Sequence, residues 1–319
     1  MSKKTIDVVA LGELLIDFTM NGLSEQGNPL FEANPGGAPC NVLAILKRLG
    51  KEVSFIGKVG DDTFGKMLKD TLVEVGIQSD NLVMDSTVMT TLAIVHTAPD
   101  GDRSFSFYRK PGADMMLTAD EVNTSVLDEA KIFHYGTLSM THEGVEAATR
   151  KAVEYATENG ILRSFDPNLR PPLWDSLNTA KEKITYGLEH CDILKISDNE
   201  LEFMTGCSDL EKAGRMLVEK YPIKLVNVTL GKDGSRSYYE GKEVFVAGRS
   251  VDKVVDTTGA GDTFCGSVLN YILEHGIDNL SEENLKEMLY FANTAASLIT
   301  KKKGAIRSMP TLEEIQKNL

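Results

Sequence analysis

The 319-residue chain is 42% hydrophobic and 25% charged, a soluble globular composition that can bury a large core as one large or two small domains. Its net charge of −13 excludes a general attraction for nucleic acid or acidic lipid, so bound phosphates must be held by local amides, metal and a few basic groups. The four cysteines, Cys40, Cys191, Cys207 and Cys265, form no C-x-x-C pair and no metal spacing with the five histidines, which reads as reduced thiols and a cytoplasmic protein.

The N-terminal lysines and apolar run are broken by Glu13 and Asp17, which predicts a strand and not a signal peptide. No apolar run is long enough to cross a membrane. Ile6 to Leu11 reads as a buried first strand. Asp17 lies between Ile16 and Phe18, and by pattern alone it reads equally well as a solvent-facing strand carboxylate. Residues 21–34, with Gly27, Asn28 and Pro29, predict a hairpin or excursion off the main sheet. At Gly36 and Gly37 a backbone must approach something closely. Pro39 suits a first helical position, and Asn41 to Leu49 is a helix ended by Gly50. Val53 to Ile56 is a short strand, and Asp62 to Val75 an amphipathic helix closed by Gly76. Thr91 to Val95, Asp100-Gly101 and Ser104 to Tyr108 predict a hairpin with Phe105 and Phe107 on one face. With the earlier excursion it makes a small sheet whose apolar face invites a dimer partner. Arg109 lies at its end, where a surface arginine is the plain reading.

From here strands and helices alternate. Thr118 and Glu121 have capping-box spacing. Ile132 to Tyr135 and Ile161 to Phe165 are strands around a helix at Glu143 to Glu158. Asp166-Pro167-Asn168-Leu169-Arg170, with Leu173-Trp174 beyond, sits at a strand's C-terminal end, where open α/β sheets place ligands. The strand Ile193 to Ile196 precedes Asn199-Glu200-Leu201-Glu202, which alone is only an acidic first turn. Leu225 to Leu230 is a buried strand, followed by Gly231-Lys232-Asp233-Gly234 and further strand from Ser237 to Val246. The last long helix covers about Asn284 to Lys302; Lys301-Lys302-Lys303 fits a solvated helix end, and Thr311 with Glu314 a capping box for a short terminal helix. The order βαβα, with no dividing linker, predicts one domain over 1–319: a doubly wound α/β sheet with a lid formed by insertions at about 14–34 and 90–112.

Asp256-Thr257-Thr258-Gly259-Ala260-Gly261-Asp262 precedes an apolar-faced helix with Phe264, Val268, Leu269, Ile272 and Leu273, capped by Gly276. Gly259, Ala260 and Gly261 therefore form a turn at a helix N-terminus, a site for a phosphoryl group. A carboxylate beside it, Asp262, repels phosphate, but has a purpose if it takes a proton from an attacking hydroxyl. Phe264 replaces the third glycine of G-x-G-x-x-G, and there is no G-x-x-x-x-G-K-[ST], so dinucleotide and P-loop readings fail.

This stretch resembles the C-terminal motif of the ribokinase-like (PfkB) sugar kinases, and Pro35-Gly36-Gly37-Ala38-Pro39-Cys40-Asn41 resembles their Gly-Gly motif. The resemblance spans essentially the whole chain and implies a ribokinase-like fold with ATP and Mg²⁺. It implies Asp262 as base and the amides of Gly259, Ala260 and Gly261 as the anion hole. Asp17, Gly36, Gly37, Asn41, Phe107, Arg109 and Arg170 are the implied sugar site. Lys195, Asn199, Glu202, Thr229, Gly231, Gly234, Asn293 and Gly304 are the implied nucleotide side, with Glu202 holding Mg²⁺ through water. A K⁺ site is implied at Asp256, Thr258, Gly304 and Ser308. Residues 166–170 with Leu173-Trp174, and residues 107–114, look like fructokinases, which implies D-fructose as acceptor. The alternatives are a 2-keto-3-deoxygluconate kinase, another sugar or nucleoside kinase, and an inactive sugar-binding regulator. A homodimer through the lid completes the expectation.

Overall fold

The computed structural model describes residues 4–97 and 103–319, so the expected Asp100-Gly101 turn lies outside the described residues. Strand β1 (Ile6–Leu11) explains why the molecule has two cores. Ile6, Val9 and Leu11 point into one and Val8 and Ala10 into the other, so both faces of the strand are covered. The chain then leaves the main sheet for β2 (Leu15–Leu23) and β3 (Pro29–Gly36) before helix α1 (Ala38–Arg48). Gly37, at φ 129°, caps α1; the helix starts at Ala38, one residue before Pro39.

Next come β4 (Val53–Gly60), α2 (Thr63–Val75) and β5 (Gln78–Asp85). Asp62 caps α2 by accepting from the Gly65 amide, and Gly76 closes it in the left-handed conformation. Strand β4 outruns the expected Val53 to Ile56, and β5 was not expected at all. Lys58, which interrupts the apolar run, is buried by pairing with Asp85 at 3.3 Å and Glu121 at 2.7 Å. The polar segment of β5 then pairs along β4 by main-chain bonds at the sheet edge, where alternation is weak. Strands β6 (Leu92–Thr97) and β7 (Arg103–Tyr108) form the expected hairpin arms.

The remaining elements alternate: α3 (Ser125–Asp128), β8 (Ala130–Gly136), α4 (Glu143–Glu158), β9 (Leu162–Asp166), α5 (Leu177–Glu189), β10 (Ile193–Ser197), α6 (Asp198–Thr205), α7 (Leu210–Lys220) and β11 (Leu225–Thr229). Strands β12 (Gly234–Tyr239) and β13 (Lys242–Ala247), then α8 (Ala260–His275), α9 (Glu282–Ile299) and α10 (Leu312–Gln316), complete the chain. Helix α9 stops at Ile299, short of Lys302, and its Thr300 carbonyl accepts the amides of Val255 at 2.8 Å and Asp256 at 3.1 Å. That contact docks the segment entering α8.

The large sheet runs β13-β12-β11-β10-β9-β8-β1-β4-β5, parallel except that β12 is antiparallel to both β11 and β13. Helices α1, α2, α8 and α9 pack into one core, and α4, α5, α6 and α7 into the other. This is a doubly wound α/β fold. A separate four-stranded sheet, β3-β2-β6-β7, joins the early excursion to the later hairpin. Among the described residues, no helix is long and apolar enough to cross a membrane.

Candidate active site

The C-terminal ends of β1, β9 and β10 open onto a cavity of about 380 Å³, closed above by Leu15, Asp17 and Phe107 of the small sheet. Glu13, Gly37, Ala38, Asn41, Asn168, Arg170, Lys195, Glu200, Gly259, Gly261 and Asp262 line the rest. This is the strand end where an open α/β sheet places its ligand. The glycines here are spatially required. A Cβ on Gly36 would lie 2.3 Å from Asp17 Oδ2, and one on Gly37 2.3 Å from the Glu13 carbonyl. Asp262, in the first turn of α8, is held by Asn41, whose Nδ2 donates to its Oδ2 at 2.8 Å. The Oδ1 of Asn41 is buried and has no partner among the described residues, an acceptor left for a hydroxyl.

Burial sets the charge states. It pushes the Glu13 and Asp17 carboxyls up to about 7; Arg170 opposes the rise at Asp17, while Asp256 and Asp262 add to it. Burial also raises Asp262, with the Asn41 hydrogen bond, Lys195 and Arg170 opposing. Lys195 resists its own burial because Asp166, Glu200 and Asp262 surround it, so it stays protonated. Its Nζ lies 3.1 Å from Asp166 Oδ2, and a Cβ built on Gly261 would be 3.1 Å from it. A fixed cation thus stands at the turn expected to bind phosphate.

A second cavity, of about 650 Å³, lies on the other side of that turn and shares Thr257 and Gly261 with the first. Thr229, Gly231, Gly234 and Asn293 line it as expected. Asn293 is fixed by Ser235, whose Oγ donates to its Oδ1 at 2.8 Å, and by its own bond to the Val246 carbonyl at 3.1 Å. Of its apolar walls, Phe264 belongs to the apolar face expected for α8, while Val251, Val254 and Ala296 carry no sequence signal, being single residues on a loop and on α9. Gly259, at φ 78°, caps α8, so Ala260 and Gly261 already belong to its first turn and not to a preceding loop.

Two expectations are corrected. Asn199 and Glu202 are exposed on α6 and line neither cavity. The carboxylate facing inward is Glu200, which closes a capping box with Ser197 and accepts the Leu169 amide at 2.7 Å. A four-residue pattern on a helix cannot say which of two nearby acids turns inward; the cap fixes it here. Arg109 is likewise absent from the described cavity linings. Its side chain, 2% exposed, is spent on Asp114 at 2.7 Å, on Thr141 and on the Leu138 carbonyl.

Asp256 ties the remaining expected residues together. Its carboxylate accepts the amides of Thr258 at 2.7 Å and Gly304 at 3.1 Å, and the Ser308 hydroxyl donates to the Lys303 carbonyl at 2.6 Å. Gly304 lines neither cavity and belongs to this loop cluster. Among the described residues, no group of three His, Cys, Asp or Glu side chains stands together as metal ligands. Glu200 is the α6 carboxylate that lines the smaller cavity, and a hydrated Mg²⁺ needs only one or two protein carboxylates.

Comparison with known proteins identifies the family. The model of the pfkB family carbohydrate kinases matches residues 5–312. Fructokinase-2 of Solanum habrochaites is 44% identical over 309 residues, 96% of this chain and 94% of the relative. A fructokinase from Xylella fastidiosa with bound ATP superposes with a TM-score of 0.89 at 32% identity, covering 99% of this chain and 98% of that one. A double-mutant fructokinase from Vibrio cholerae O395, with fructose, ADP and potassium ion bound, gives 0.88 at 28% identity over 100% of both chains. Two cavities meeting at one glycine turn, with a carboxylate beside it and a family match over nearly the whole length, lead to one statement: the chain belongs to the pfkB family of carbohydrate kinases.

Proposed function

We propose that this kinase transfers the γ-phosphoryl group of ATP to the terminal primary hydroxyl of D-fructose, forming fructose 6-phosphate. The observation that carries this reading is the shared wall: Gly261 faces both cavities, and Asp262 faces the smaller one. ATP occupies the larger cavity, with Thr229, Gly231, Gly234 and Asn293 along it, and its γ-phosphate meets the amides of Gly259 to Gly261. The sugar occupies the smaller cavity, with Asp17 and Asn41 on its hydroxyls and Phe107 against it. Asp262 takes the hydroxyl proton as the new O–P bond forms and the bond to ADP breaks. Lys195 and Arg170 offset phosphate charge at the junction. Mg²⁺ on the nucleotide neutralises the phosphates further, and Glu200 is the carboxylate placed to hold it through water. A monovalent cation at Asp256, Thr258, Gly304 and Ser308 would order the turn that bears Gly259.

The small sheet is the lid over the sugar and excludes water, which competes as nucleophile. Its outer residues Met20, Leu23 and Phe31 are 55%, 60% and 46% exposed, which favours a second copy of the chain packing there. The four free cysteines fit a reducing, cytoplasmic setting.

The deciding experiment compares kcat/KM for fructose, 2-keto-3-deoxygluconate, ribose and glucose on one preparation. Fructose is expected to lead. A higher value for the sugar acid overturns the fructose assignment.

A further inference from the structure

Glu13 is a carboxylate of the sugar cavity that no motif of the sequence marks. It lies two residues beyond β1, is 4% exposed, and lines the cavity with Asp17, Asn41 and Asp262. Its Oε1 accepts the amide of Ala38, the first residue of α1, at 2.8 Å. Its main-chain carbonyl occupies the space that a side chain on Gly37 would need. Glu13 therefore braces the Gly36-Gly37 turn twice, once through backbone and once through its carboxylate.

Bracing alone does not require a charge. An amide oxygen would accept from Ala38 equally well, without the cost of burying a carboxylate. The nearby cation, Arg109, is already committed to Asp114 at 2.7 Å, and no basic side chain hydrogen-bonds Glu13 among the described residues. What faces Glu13 is a cavity of about 380 Å³ that holds the further carboxylates Asp17, Glu200 and Asp262 against the cations Arg170 and Lys195, so acidic groups predominate. Such a wall accepts from many hydroxyls and repels an anionic acceptor.

We propose that Glu13 is a specificity-determining sugar ligand: its carboxyl oxygen accepts a hydroxyl of the acceptor sugar while fixing the start of α1, and in its ionised form it excludes sugar acids. This deepens the reading of a neutral sugar acceptor and rests on it. Glu13→Gln is the direct test, because glutamine keeps an oxygen for Ala38 but presents an NH₂ donor where a hydroxyl donated. A lost hydrogen bond to a charged group corresponds to about a ten- to hundred-fold weaker sugar KM. The expected result is that rise, with kcat moved only a few-fold, KM for ATP unchanged, and the kcat/KM ratio of fructose to 2-keto-3-deoxygluconate lowered at least about ten-fold.

An unchanged sugar KM and ratio overturn the proposal. So does a variant that melts lower and loses affinity for ATP and sugar alike at an unchanged ratio, since that describes a helix brace only. Where Glu13→Gln does not fold, Glu13→Asp decides: continued rejection of the sugar acid supports the charge argument, and its loss overturns it. The wild-type panel is read first. A wild type that prefers the sugar acid refutes the neutral-acceptor reading itself, and this proposal with it. A wild type that prefers another neutral sugar refutes only fructose, and the Glu13 comparison is then made with that sugar.

Discussion

The side-chain amide of Asn41 donates to Oδ2 of Asp262 at 2.8 Å, joining the two glycine motifs across 221 positions of sequence. The bond opposes the burial that pushes the Asp262 pKa up, though burial wins and the net shift is upward. Asn41→Ala should therefore lower kcat by about ten- to a hundred-fold, the worth of a hydrogen bond to a charged group. It should also move the acidic limb of the pH–rate profile upward, because the group opposing the burial shift is gone. Steady-state kinetics across pH measure both; an unmoved limb would mean that Asn41 serves the sugar alone.

Asp262→Asn should remove the base and keep the shape. General-base loss costs about 10²–10⁴-fold in rate. Nucleotide binding, followed by calorimetry, should stay near wild type, because the α8 amides remain. A variant within a few-fold of wild-type kcat removes Asp262 from proton transfer.

The backbone of this site was legible in the sequence because glycine and asparagine signals are local. Gly36-Gly37-x-x-x-Asn41 and Gly259-x-Gly261-Asp262 each declare a turn and a helix start, and both lie where they were expected. The alternation of strand and helix gave the doubly wound sheet for the same reason. What escaped was non-local. Glu13 becomes a site residue only once β1 and α1 are side by side. Strand β5 exists because β4 offers it an edge. The sequence does not separate Glu200 from Glu202, because an acidic first turn looks the same on either face until a cap orients it.

That last distinction is testable in one experiment. Glu200→Gln should raise the Mg²⁺ concentration needed for half-maximal rate, whereas Glu202→Gln, on the exposed face of α6, should stay within about two-fold of wild type, as surface changes usually do. Equal Mg²⁺ titrations for Glu200→Gln and wild type would leave Glu200 a helix cap only.

The raised carboxyls also predict how stability depends on pH. Glu13 moves from 4.5 to about 7 and Asp17 from 3.8 to about 7 on folding. Between those values the folded chain binds more protons than the unfolded chain, so unfolding free energy falls as pH rises through the window. The melting temperature of the unliganded protein should fall from about pH 4 to about pH 7 through these two groups. Asp17→Asn should flatten its share of the slope. Asp85, held down to about 2 by Thr87 and Lys58, acts only below this window. A slope unchanged in Asp17→Asn, measured by scanning calorimetry without ligand, would refute the burial argument.

Arg109 provides the sharpest contrast between a sugar contact and a support. Its Nε and Nη2 both bond Asp114, at 2.8 and 2.7 Å, with side-chain exposures of 2% and 1% for the pair. Its other donors hold Thr141 and the carbonyl of Leu138, a residue of the cavity wall. Arg109→Ala strands the Asp114 carboxylate in the interior, which costs roughly 3–5 kcal/mol. The melting temperature should drop by several degrees, and replacing Asp114 as well, in an Arg109→Leu/Asp114→Leu variant, should recover part of the loss. Assayed below its transition, Arg109→Ala should change the sugar KM only a few-fold, because the Arg109 side chain is buried against Asp114, Thr141 and the Leu138 carbonyl and lines neither described cavity. A variant that melts like wild type but binds sugar a hundred-fold more weakly would reverse the assignment and make Arg109 a direct sugar ligand.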